Sequence, residues 1–294
     1  MMEELVRHVV DFVGYLFPFD CMDHAFMRRA MLGLILLAPL TAGTGIQVVN
    51  SRMAFFSDAI GHSAFAGVAV GILFALDPSF SMLLMALLVG YLIMYLKRSS
   101  KLSTDTIIGV IFSAVVAFGL AIVSRDRNAA RAAQMFLFGD ILTIGTMELC
   151  WLFVLLVLFL IFQGFAFNRM LCIAINPQLS TVHRIKTALY QYLFAALLSA
   201  TVIVAVRTAG VLLVTALLIV PAAAARNFAR NAIGMFWYTL LISLVSGICG
   251  LLISAQSWAR TPAGATIVLF SCVVFCISAV CAGLRPGKTR DSEQ

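Results

Sequence analysis

Two residues in this chain have the types and the spacing to do chemistry inside an otherwise apolar stretch. Asp58 and His62 stand four apart between Met53 and Gly71, and on a helix that spacing puts both on one face. A carboxylate oxygen and an imidazole nitrogen presented together are half of a site for a transition metal such as zinc or manganese. The same pair can instead hydrogen-bond to each other or to a neighbouring helix and hold a bundle together. The residues alone leave both readings open. A carboxylate at the centre of a membrane helix costs about 2.5–3.5 kcal/mol on insertion scales, so it needs a partner or a watery pathway. An ion in transit also needs an incomplete site, because a closed cage of four ligands would not release it.

Nine residues on from Asp58, Gly67 and Gly71 form a small-xxx-small pattern that lets a second helix approach closely, and packing is their expected role. A second informative stretch runs from Arg207 through Gly210 to Pro221 and on to Asn231. Pro221 lacks an N–H and is expected to kink or end its span. Ala222, Ala225, Arg226, Asn227 and Arg230 would then lie on a short basic helix at the membrane surface, or in an ordinary basic turn. Asp140 and Glu148 sit at the entrance of an apolar segment, where capping is expected. Cys21, Asp23 and His24 form a weaker candidate for an external metal contact. The tail from Gly283 to Thr289 imitates a phosphate-binding loop, but its spacing is one residue short and an apolar span precedes it.

The elements that must position these residues follow from composition. Of 294 residues, 62% are hydrophobic and only 11% charged, against roughly 25% charged in an ordinary globular domain. A water-facing surface of normal area is excluded. The apolar residues come in blocks near the roughly 20 needed to cross a bilayer: 30–49, 54–76, 80–96, 106–123, 147–167, 187–206, 209–225, 233–255 and 265–284. The fold class is therefore all-α, a polytopic transmembrane helical bundle of about eight to nine spans, among which the fourth, fifth or seventh block can be broken or re-entrant. The net charge of +7 belongs to loops at the membrane surface, and no basic stripe interleaved with aromatics points to nucleic acid. The seven cysteines make no CxxC pair and read as small hydrophobes.

Nine spans with a cytoplasmic C-terminus place Arg52, Lys97, Arg98, Lys101, Arg169, Arg184, Lys186, Arg226, Arg230, Arg285, Lys288 and Arg290 inside. Arg28, Arg29, Arg125, Arg127 and Arg131 then fall outside. Three regions result: an N-terminal interfacial amphipathic segment at 1–25, a transmembrane domain at 26–284 and a cytoplasmic tail at 285–294. In the first, Leu5, Val9, Phe12 and Leu16 recur at helical spacing, as expected of a helix lying against membrane lipid.

Four ordered stretches resemble the permease subunits of bacterial ABC importers for zinc, manganese and iron: Arg52 to His62, Leu137 to Leu142, Gly210 to Pro221 with the alanines after it, and Thr261 to Gly264. The resemblance covers about Phe26 to Leu284. It implies a homodimer or heterodimer of permeases in the bacterial cytoplasmic membrane, cytoplasmic ABC ATPase subunits and an external metal-binding protein. It implies that Asp58 and His62 form a transit site for Zn2+, or for Mn2+ or Fe2+, carried as substrate, with no permanently bound cofactor. It also implies that Ala222 to Asn231 contact the ATPase, so that ATP hydrolysis belongs to a separate subunit and this chain is no enzyme. The Phe-Gly-Asp and Thr-Pro-Ala-Gly patterns lean towards the zinc-type branch. An ATPase-independent secondary metal transporter is the alternative. Ser57 stands where the family usually has glycine and Ala224 where threonine is common; both are small and leave Asp58 and His62 intact.

Overall fold

In a computed structural model of the chain, residues 2–17, 19–124, 139–175, 180, 182–256, 259 and 261–284 are described. The basic residues Arg125, Arg127 and Arg131, Leu137 and Phe138, and the tail at 285–294 lie outside them. Ten α-helices are present among the described residues: α1 (Met2–Leu16), α2 (Ala25–Asn50), α3 (Phe56–Leu73), α4 (Pro78–Ser99), α5 (Thr104–Val123), α6 (Thr146–Ile175), α7 (Thr187–Ala209), α8 (Val211–Phe228), α9 (Ala232–Ser254) and α10 (Ala263–Gly283). Helices α2 to α10 are each long and apolar enough to cross a bilayer. They coincide with the nine apolar blocks, and each is continuous, so none of the described spans is broken or re-entrant.

Short polar signals set the helix ends. Asp77 caps α4, accepting from the backbone N–H groups of Ser79 at 2.8 Å and Phe80 at 3.1 Å, with Pro78 in the first turn. Ser103 caps α5 through the Thr106 N–H at 3.2 Å, and Asn231 caps α9 through the Gly234 N–H at 2.6 Å. Gly210 alone separates α7 from α8, with φ of 81° and ψ of 157°. That region is open essentially only to glycine. Within the spans, hydroxyl groups turn back on their own helices: Thr44 donates to the Leu40 carbonyl at 2.7 Å and Thr239 to that of Met235 at 2.6 Å. Such bonds satisfy polar atoms where no water can.

Two helices form the centre. α2 packs against α6, α8 and α9, while α3 is surrounded by α4, α5, α7 and α8. α8 touches both groups and also α10, so it bridges the bundle. Gly67 lies against the α4 backbone, where an added Cβ would be 2.7 Å from Met82 Cα, and Gly71 lies against the Ser81 side chain. The Ser81 hydroxyl closes the same contact by donating to the Gly67 carbonyl at 2.6 Å. α5, α6 and α10 leave most of their apolar surface outside the bundle.

The N-terminal helix also packs on the bundle. Val10 and Val13 are buried as α1 packs on α2 and α6, and Arg28 pins it through an ion pair to Asp11 at 2.8 Å. Val9, Phe12 and Leu16 face outwards. The helix has two adjoining apolar strips, one for the bundle and one for its surroundings, and a single helical repeat picks out only the second.

Pro221 neither ends nor separates α8, which runs on to Phe228. The proline is buried, and Ala222, Ala224 and Ala225 are packed against Ile46 of α2 and Met235 and Ile242 of α9. Neighbouring helices keep the segment helical through the lost hydrogen bond, as they do at Pro39 within α2. The expected separate surface helix is therefore the last turns of α8. Ala222 and Ala225 face inwards, Arg226 and Arg230 are exposed, and Asn227 donates to the Ser278 hydroxyl of α10 at 2.9 Å.

Candidate metal transit site

From Phe56 to Ala69 every residue of α3 is buried except two, and those two are Asp58 and His62. Burial of the remainder follows from composition, since this half of the helix is otherwise Ala, Gly, Ser, Ile, Val and Phe, sized to fit between four neighbours. Ser57, at the family's glycine position, is fully buried, and its hydroxyl donates to the Ala54 carbonyl at 3.3 Å. The two half-buried polar side chains are thus the accessible positions on an otherwise packed stretch of helix.

Neighbouring helices furnish the walls. His62 meets the Phe112 ring of α5 edge-on, with centroids 5.2 Å apart and planes at 87°. Thr215 of α8 stands beside the Asp58 carboxylate. Its hydroxyl donates to the Leu212 carbonyl of its own helix at 3.4 Å. Close approach of α8 is set by Gly61, whose missing Cβ would lie 2.9 Å from Val211 Cγ1. Asp58 also stands in the first turn of α3, where the exposed N–H groups favour a negative charge.

The site lies deep. Fifteen residues separate Asp58 from Leu73 at the far end of α3, about 22 Å at 1.5 Å per residue, and eleven separate Thr215 from Arg226, about 16 Å. Against a hydrocarbon core of about 30 Å, the pair sits within the membrane interior and away from either surface. No group of three or more His, Cys, Asp or Glu side chains is gathered among the described residues. Two candidate protein ligands leave half of a four-coordinate metal's shell to water or passing groups, which suits brief contact better than storage.

The other candidates separate from this site. Asp140 caps a 3-10 turn (Ile141–Thr143) through the Leu142 N–H at 3.0 Å, as expected. Glu148 instead approaches Arg207 at 3.9 Å. Cys21, Asp23 and His24 gather no three-ligand cluster. Thr215 and Phe112 were not legible as site residues, because contacts between distant helices leave no trace in the spacing along either one.

A family model for the ABC 3 transport family matches residues 23–282. The chain belongs to this family. It is 31% identical over 249 residues to the high-affinity zinc uptake system membrane protein ZnuB of Haemophilus influenzae, covering 85% of this chain and 95% of that protein. To the manganese import system permease protein ScaB of Streptococcus gordonii it is 27% identical over 257 residues, covering 87% and 91%. Its fold matches that of a solved chain of PsaBC from Streptococcus pneumoniae with a TM-score of 0.73 at 24% identity, covering 93% of this chain and 95% of that one. The nine apolar helices and this membership make it a multi-pass membrane protein of a transport family.

Proposed function

We propose that this chain is the membrane-spanning permease of an ATP-driven divalent metal importer, with zinc as its substrate. The single observation that carries the reading is the confinement of accessibility on the first half of α3 to Asp58 and His62. A helix built only for packing would bury both, and a helix built only for lipid would carry neither. The zinc assignment draws on the similarity to ZnuB, and the similarity to ScaB makes manganese the second reading.

In this account two copies of the permease meet in the bacterial cytoplasmic membrane, and an external binding protein delivers the ion to a pathway along the α3 face. The ion passes Asp58 and His62 beside the Thr215 hydroxyl. Arg52, Arg226 and Arg230 line one cleft, and the positive-inside rule puts that end in the cytoplasm. There two ATPase subunits press on the exposed end of α8. Because α8 is unbroken between Arg226 and Thr215, displacement at the cytoplasmic end reaches the Asp58 contact along a rigid element, as in packed-helix switching. The chain itself makes and breaks no covalent bond.

The test is uptake of radiolabelled zinc into vesicles holding the permease with its ATPase and binding protein. Uptake is expected only with ATP and both partners. Uptake by the permease alone, driven by an ion gradient, would establish a secondary transporter instead.

A further inference from the structure

The cleft at the basic end of the bundle, 510 Å³ in volume, is built from elements distant in sequence. Arg226 and Arg230 come from the end of α8 and the turn after it, and Arg52 from the turn between α2 and α3. Among the described residues, no acidic side chain lines the cleft. All three arginines are exposed, and none has an ion pair among the described residues. Three uncompensated guanidinium groups around one concavity make a strongly positive surface.

Arg52 stands apart because of its backbone, which has a φ of 52°. Glycine takes that conformation freely and arginine does not. The turn is closed by backbone bonds alone, Ser51 N–H to the Gln47 carbonyl at 2.9 Å and Met53 N–H to that of Val48 at 3.0 Å. Nothing in the turn uses the guanidinium, and the main chain would be easier with no side chain at all. A long cation is thus held at a strained position where it faces the same opening as Arg226 and Arg230.

We infer that Arg52 is a second contact for the ATPase subunit, whose acidic surface residues enter this cleft and grip the start of α3 together with the end of α8. The inference rests on the importer reading above and extends it to a part of the chain that lies outside the segment following Pro221. Six residues separate Arg52 from Asp58. Movement of the ATPase then reaches the transit site from both walls, through the turn to Asp58 and through α8 to Thr215. An importer coupled only through α8 would shift Thr215 past a stationary carboxylate.

The test compares Arg52→Gly, Arg52→Glu, Arg52→Lys and the double variant Arg226→Glu with Arg230→Glu. Each is measured for affinity to the purified ATPase subunit and for thermal stability. Arg52→Gly relieves the backbone and is expected to melt no lower than wild type while binding the ATPase about fivefold more weakly. Arg52→Glu is expected to weaken binding about tenfold or more, with restoration by a matching acid-to-lysine change on the ATPase. Arg52→Lys retains most of the affinity. Wild-type affinity in Arg52→Gly and Arg52→Glu, with loss in the double variant, would overturn the second contact and leave coupling through α8 intact. Wild-type affinity in the double variant as well would remove the ATPase docking surface itself. Unchanged ATPase affinity with lost binding to vesicles containing phosphatidylglycerol would reassign the cleft to anionic lipid and overturn the inference.

Discussion

Replacing Gly67 with alanine puts a methyl group where α3 and α4 touch through their backbones. That carbon would lie 2.7 Å from Met82 Cα, 3.0 Å from the Ser81 carbonyl oxygen and 3.1 Å from the Met82 nitrogen. Carbon atoms rest comfortably about 3.5–4.0 Å apart, so the helices must separate by about 1 Å, and main-chain atoms cannot rotate aside. Such overpacking costs about 3 kcal/mol. Stretching the 2.6 Å bond from the Ser81 hydroxyl to the Gly67 carbonyl adds about 0.6 kcal/mol, the average for hydrogen bonds between membrane helices. Better helix propensity of alanine returns about 1 kcal/mol, leaving a net loss near ~2–3 kcal/mol. Gly109 is the control, since an added Cβ there meets nothing within 4 Å. Thermal unfolding in detergent should place Gly67→Ala several degrees below wild type and Gly109→Ala at or above it. Equal shifts in the two variants, or a stabilised Gly67→Ala, would refute the backbone contact between α3 and α4.

Thr215→Val keeps the shape of the side chain and removes the hydroxyl beside Asp58. Zinc uptake in vesicles is expected to fall about fivefold, with Thr215→Ser close to wild type; equal uptake by the valine variant would take the hydroxyl out of the mechanism. At the N-terminal end of α4, the N–H groups of Phe80 and Ser79 hold the Asp77 carboxyl below its ordinary value of 3.8. A depressed acid stabilises the fold above its unfolded value and loses that contribution as pH falls through the folded value. Melting of wild type and Asp77→Ala should therefore differ by a constant amount from neutral pH down to about 4 and converge below it, and a gap that widens in acid would contradict the cap.

Much of the architecture could be read from the order of residues. The nine apolar blocks became nine unbroken helices because a bilayer demands both length and internally satisfied backbone, and both demands are written locally. Asp58 and His62 were also legible, since a spacing of four on a helix places two side chains together whatever surrounds them. Their accessibility was not, because it depends on α4, α5, α7 and α8 covering every other position nearby. Pro221 misled for the same reason: local chemistry breaks a helix there, and packing by α2 and α9 keeps it whole. The inward facing of Ala222 and Ala225 and the burial of Val10 and Val13 likewise record which surfaces neighbouring helices occupy. Arg52 joined Arg226 and Arg230 only once the chain had folded back on itself.

The central claim is that a metal ion passes between Asp58 and His62. Zinc uptake driven by ATP should be measured in vesicles containing the double variant Asp58→Asn with His62→Gln, at protein amounts and melting temperatures matched to wild type. The account predicts a loss of uptake of at least about tenfold, in keeping with the removal of metal ligands, with the ATPase still bound. Uptake at the wild-type rate in that variant would contradict it.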